Sequence, residues 1–105
     1  MLLKSGGGSD LEEVAALKIC KIYFEHKDNL KAVNEFKAFL EKYPSSIFAD
    51  YADFNLGKTY FQMKNYPEAD KALKDLLVNY PRSLFLAEAR KMIRIISDEE
   101  KKKIN

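Results

Sequence analysis

The chain is poor in the residues on which small catalytic and metal-binding domains rest. Its 105 residues include one cysteine, one histidine and no tryptophan. The lone Cys20 excludes an internal disulfide and any cysteine-based zinc site, and leaves the redox compartment open. Glycine occurs four times, three of them in Ser5-Gly6-Gly7-Gly8-Ser9 and the fourth at Gly57, so no phosphate-cradling loop can be built. No apolar run approaches the roughly 20 residues of a transmembrane helix. Neither sign of charge dominates: 18 Lys+Arg against 16 Asp+Glu give +2, without the concentrated basic patch of a nucleic-acid binder. The one basic run, Lys101-Lys102-Lys103, follows Asp98-Glu99-Glu100 and reads as a solvated helix end whose cations suit the C-terminal dipole. Met1-Leu2-Leu3-Lys4 is too short for a signal peptide. Residues 1–9 read as a flexible Gly/Ser-rich leader of the kind left by cloning, so they carry no information about a parent protein's targeting.

What the chain does have is apolar content and period. It is 47% apolar and 32% charged, which predicts a folded domain, and its length fits one. Tyr43-Pro44 recurs 37 residues later as Tyr80-Pro81. At that shift residues 11–48 overlay residues 48–85 with 12 identities in 38 positions, among them Ala15/Ala52, Lys21/Lys58, Tyr23/Tyr60, Ala32/Ala69, Ser46/Ser83 and Phe48/Phe85. The same shift superposes Ser9, Ser46 and Ser83 and marks three equivalent starts.

Each unit reads as two antiparallel helices. The first runs from Ser9, where Ser9-Asp10-Leu11-Glu12 has the form of a capping box, to about His26. Helical spacing continues in a second from about Asn29 to Lys42, which Pro44 ends. Unit two repeats this over about Ile47–Met63 and Tyr66–Asn79, with Pro67 in the first turn of its second helix and Pro81 as punctuation. A fifth helix follows Ser83. The expected fold is all-α: five helices stacked as antiparallel pairs in a right-handed superhelix, with repeat 1 at about 10–44, repeat 2 at about 47–81 and a capping helix at about 84–103. Neither pair can bury its apolar stripes alone, and Arg90, Arg94, Asp98 and Glu99 give the last helix the polar outer side a terminal cap requires.

These residues resemble the tetratricopeptide repeat superfamily. Leu56-Gly57, Tyr60, Ala69 and Pro81 in unit two, and Tyr23, Ala32, Phe36 and Pro44 in unit one, stand at the spacing of its signature. Gly57 lets the paired helix approach closely, and small Cys20 holds the equivalent place, which makes it a buried structural cysteine. The period is 37 rather than 34, and Asp53 and Ala16 stand where the signature has a large aromatic. The inter-unit segment is similar to that of a bacterial envelope subgroup, which includes the Tol-Pal-associated periplasmic repeat proteins and the repeat lipoproteins of the outer-membrane β-barrel assembly machinery. Ending on a lone helix resembles the first of these more. The resemblance implies a non-enzymatic module that binds a protein or peptide, in a periplasmic or outer-membrane-associated setting; composition by itself leaves the cytoplasm open.

In such arrays the first helix of each pair lines a concave surface. The register places Val14, Leu17, Lys18, Lys21, Phe24 and Glu25 there from unit one, and Tyr51, Phe54, Asn55, Lys58, Phe61 and Gln62 from unit two, with Glu88, Lys91, Met92 and Ile95 added by the capping helix. Phe54 and Phe61, seven apart on the side away from Leu56-Gly57-Tyr60, read as exposed aromatics of the kind that anchor partner helices. A further packing layer or further repeats would bury the same rings. Lys21 and Lys58 recur at equivalent places and suit an acidic peptide or terminal carboxylate; of the asparagines of a carboxylate clamp only Asn55 is present. Cys20 and His26 are six apart on one helix and do not stack into a dyad, and His26 beside Glu25 and Asp28 reads as a surface residue. No cofactor, metal, nucleic acid or membrane span is expected. The competing expectation is a structural or self-associating, homo-oligomeric segment of a larger scaffold.

Overall fold

The computed structural model describes residues 10–104; the leader and the Ser9 cap lie outside the described residues. Five helices follow one another, α1 (Asp10–Glu25), α2 (Asn29–Lys42), α3 (Ala49–Gln62), α4 (Tyr66–Asn79) and α5 (Leu86–Ile104), with no strand among the described residues. Each packs on the next, and α1 also reaches α3, so the chain is the expected stack of helix pairs closed by a single helix.

The 37-residue period is visible in the turns. After α1 and α3 the chain reverses through Lys27 and Lys64, both at φ 61°. The Asp28 amide donates to the Tyr23 carbonyl and the Lys27 amide to Phe24; Asn65 and Lys64 donate in the same way to Tyr60 and Phe61. This is the double hydrogen bond that closes a helix on a left-handed residue, here a lysine rather than glycine. Asp28 and Asn65 begin the next helices with nearly equal torsions (φ −84°, ψ 75° and φ −87°, ψ 76°). Tyr43 and Tyr80 end them alike, at φ −127° and −132°, ahead of Pro44 and Pro81.

Between the units lies a second recurring device. The Ser46 hydroxyl accepts the Phe48 amide at 2.9 Å, and the Ser83 hydroxyl accepts the Phe85 amide at 3.1 Å. These serine turns use the backbone groups that would otherwise start a helix, so α3 begins at Ala49 rather than Ile47 and α5 at Leu86. Ser46 also donates to the Glu13 carboxylate of α1.

The core runs along α3, nine of whose 14 residues are buried. Gly57 explains the closeness of α4: a Cβ there would stand 2.7 Å from Leu73 Cδ2 and 2.8 Å from Leu73 Cγ. Leu73 and Leu76 are fully buried, each stabilising the fold by roughly 1.5–3 kcal/mol. Buried polar groups are used internally, with the Asn55 amide donating to the Tyr51 carbonyl at 2.9 Å and the Thr59 hydroxyl to the Asn55 carbonyl at 2.7 Å. Asp53, at the place of the signature aromatic, is buried; burial first, then the nearby Asp75 carboxylate, pushes its carboxyl up to about 7. Cys20 is buried as expected, and burial, followed by Glu35, pushes its thiol up to about 11. On α5, Arg90, Arg94 and Asp98 face solvent, and Lys102 and Lys103 pair with Glu99 and Glu100 at 3.4 and 3.5 Å.

Candidate protein-interaction groove

On α1, Val14, Leu17, Lys18 and Lys21 stand three, four and seven residues apart and therefore share one face. Opposite them lie Asp50 and Tyr51 of α3, and the two inter-unit turns close the ends with Ile47-Phe48 and Leu84-Phe85. Together these ten residues line a groove of about 550 Å³. Its floor is aromatic and aliphatic and its α1 rim cationic. Ile47 and Leu84, 37 residues apart in the sequence, are 84% and 94% exposed, so both offer an aliphatic side chain that no packing requires.

The turn phenylalanines build the floor. Phe85 stands over Tyr51 at 6.1 Å, edge to face, and lies flat on Phe54 at 4.8 Å with 10° between the planes. The positions equivalent to Tyr51 and Phe54 in unit one are Val14 and Leu17, which share the groove with Phe48. On α5 they are Glu88 and Lys91, so the apolar floor stops at the cap. The Tyr51 hydroxyl is held above its ordinary value by burial first, then by Glu25 and Cys20, and so stays a neutral hydrogen-bonding group.

Below this floor Lys58 reaches between two rings, its ammonium 5.7 Å from the centre of Phe24 and 5.4 Å from that of Phe54. Phe24 is itself set edge-on against Phe36 at 6.3 Å. Neither Lys21 nor Lys58 makes an ion pair among the described residues, so both cations are available to a ligand.

The structure thus brings Leu17, Lys18, Lys21 and Tyr51 into one groove and Phe24 and Lys58 into the adjoining cluster. It corrects the expectation of an exposed Phe54: the ring is buried under Phe85, because a turn residue covers the face that helix spacing leaves open. Asn55 is also buried, its amide spent on its own helix, and cannot serve a clamp. Met92 packs into the core. Phe61 is half-buried against Tyr66 at 5.6 Å, at the α3–α4 turn beside exposed Gln62 and away from the groove. Lys91 is exposed on α5 and does not line the groove. Sequence reading misses Ile47, Phe48, Leu84 and Phe85 as groove residues, although the Phe48/Phe85 identity at the repeat shift is the signal that marks them.

No group of three or more potential metal ligands occurs among the described residues. His26 is exposed, its Nδ1 2.8 Å from the Ile22 carbonyl, which also accepts the His26 backbone amide at 3.0 Å. Among the described residues no helix is long and apolar enough to cross a membrane.

Stacked helix pairs with a small residue at the crossing and an aromatic one turn on define a tetratricopeptide-type repeat protein. More narrowly, the chain belongs to the YfiO family of outer membrane lipoproteins, whose model matches residues 7–100. That is the second of the two envelope groups it resembles; the preference for the Tol-Pal-associated group, read from the lone closing helix, gains no support from this match. No curated protein and no solved structure matches the chain. Membership associates the chain with the cell envelope and with the protein-interaction role of outer-membrane assembly lipoproteins, a family generally without enzymatic activity.

Proposed function

We propose that the chain is a non-enzymatic interaction module that holds a peptide or partner helix along the groove between α1 and α3, on the periplasmic side of the outer membrane. The observation that carries this reading is the groove's composition. An aromatic floor of Tyr51 and Phe85 runs beside two protruding aliphatic side chains, Ile47 and Leu84, under a rim of Lys18 and Lys21. Such a surface takes apolar side chains on its floor and carboxylates on its rim. Lys58, held by two rings, adds a second cation for an acidic residue or a terminal carboxylate.

Site-specific photo-crosslinking in envelope preparations tests the reading. A crosslinker at Lys21 is expected to capture a partner that one at Glu41, exposed on α2, does not. Lys18→Glu with Leu84→Ser is expected to abolish the capture with the helical circular dichroism intact. Equal capture from both positions would remove the groove from consideration.

A further inference from the structure

The two units line the groove differently, and the difference is a pair of missing rings. Phe48 and Phe85 stand at equivalent places in the two inter-unit turns, each with its amide held by the serine two residues earlier. Phe85 meets two rings of α3, Tyr51 edge to face at 6.1 Å and Phe54 flat at 4.8 Å. On α1 the equivalents of Tyr51 and Phe54 are Val14 and Leu17. Phe48 accordingly makes no ring contact among the described residues.

The volume given up by these smaller side chains is not reclaimed by packing. Val14, Leu17 and Phe48 are only half-buried, and all three line the groove of about 550 Å³. Val14 and Phe48 also line a neighbouring cleft of about 640 Å³ that runs to Glu13 and Tyr43. Space is therefore open beside Phe48 where unit two has rings. Its walls are apolar, and Lys18 and Lys21 line the same groove.

We infer that the α1 side of the groove is a receptor for an aromatic side chain of the bound peptide, which packs on Phe48 as Phe54 packs on Phe85. The inference rests on the groove reading above and adds a selectivity to it. The partner carries a phenylalanine-sized ring with acidic residues close by in its sequence. The ring makes the contact for which Val14 and Leu17 are too small, and the acids meet Lys18 and Lys21. An aliphatic side chain could enter the same space but lacks the ring-on-ring attraction.

Two capped peptides test it, acetyl-Ala-Phe-Glu-Glu-Ala-amide and the same peptide with leucine in place of phenylalanine. Each is titrated into the chain while the backbone amide shifts of Val14, Leu17 and Phe48 are followed by NMR. The phenylalanine peptide is expected to bind about 5-fold more tightly than its leucine counterpart. Val14→Tyr/Leu17→Phe gives unit one the pair that unit two has. It is expected to erase the preference and, by filling the space from within, to raise the melting temperature by about 2 °C or more. Phe48→Leu, which keeps an apolar side chain, is expected to erase the preference as well. Lys18→Glu/Lys21→Glu is expected to weaken both peptides alike.

Equal binding of the two peptides overturns the aromatic receptor, and so does a preference that survives either Val14→Tyr/Leu17→Phe or Phe48→Leu. The lysine variant separates this failure from that of the groove itself, since weaker binding of both peptides keeps the groove while the ring preference falls. Failure of both peptides to bind overturns both readings. A lower melting temperature for Val14→Tyr/Leu17→Phe would show that the space is not open and overturns the receptor too. So does a dimer that this variant makes monomeric, because the occupant is then a second copy.

Discussion

Phe85 lies flat on Phe54, ring centres 4.8 Å apart and planes 10° from parallel, and by this contact the turn before α5 is fastened to the middle of α3. The pair couples the closing helix to the centre of the stack. It also sets the depth of the groove, since Phe85 is at once lid to Phe54 and part of the groove lining.

Phe85→Ala is expected to cost about 2–3 kcal/mol, somewhat below the value for a fully buried phenylalanine, because the ring is only half-buried. In a double-mutant cycle with Phe54→Ala, urea unfolding is expected to give a coupling of about 0.5–1.5 kcal/mol. Additive effects would mean that the rings do not act as a pair.

Gly57→Ala pits two effects against each other. Alanine favours the helix by about 1 kcal/mol. Its methyl group, however, would meet Leu73 at 2.7–2.8 Å, so the fully buried Leu73 side chain would have to shift within the core. Overpacking of that kind costs about 1–3 kcal/mol, so net destabilisation is expected. Shortening the obstacle, as Gly57→Ala/Leu73→Val, is expected to recover part of the loss in thermal melts.

Asp53 makes stability depend on pH. Its ordinary value of 3.8 applies to the unfolded chain, and the folded value is about 7. Between these the folded state binds the proton that the unfolded state has released, so stability falls as pH rises from about 4 to about 7. The nearby Asp75 carboxylate strengthens the effect. Asp53→Asn is expected to be more stable than the parent at pH 8, by on the order of 1–2 kcal/mol, and to lose that advantage near pH 4. Denaturant midpoints across the pH range measure this; a constant difference would exonerate Asp53.

Lys64 holds a left-handed backbone at φ 61°, which only glycine adopts without steric cost. Lys64→Gly is expected to raise stability by about 0.5–1 kcal/mol, and Lys27→Gly, at the equivalent turn, to do the same. A lower melting temperature for both would show that the lysine side chains hold the turns.

The limits of sequence reading follow from these contacts. The bounds of α2 and α4 are legible because Pro44 and Pro81 stop the helices and the Lys27-Asp28-Asn29 and Asn65-Tyr66-Pro67 turns start them, all local features. Gly57 and Cys20 are legible as crossing residues from the repeat shift. The exposure of Phe54 is not, since helix periodicity records which face a residue occupies and not what arrives from outside the helix to cover it. The starts of α3 and α5 are missed for a related reason: the Ser46 and Ser83 hydroxyls take amides that helical spacing assigns to the backbone. The cation-aromatic cluster is half legible, as Lys21 and Lys58 recur, but the slot between Phe24 and Phe54 exists only once two helices are stacked.

Because each helix leans mainly on its neighbours, the stack has no single centre of stability. α3 is held from both sides, while α1 rests on α2 and more lightly on α3. Half of the groove thus belongs to the helix with the most exposed apolar flank. A ligand bridging Lys18 and Tyr51 would act as a clasp between α1 and α3, and its affinity would include the work of holding α1 in place. Slower amide exchange in α1, with little change in α3, would then be the signature of an occupied groove.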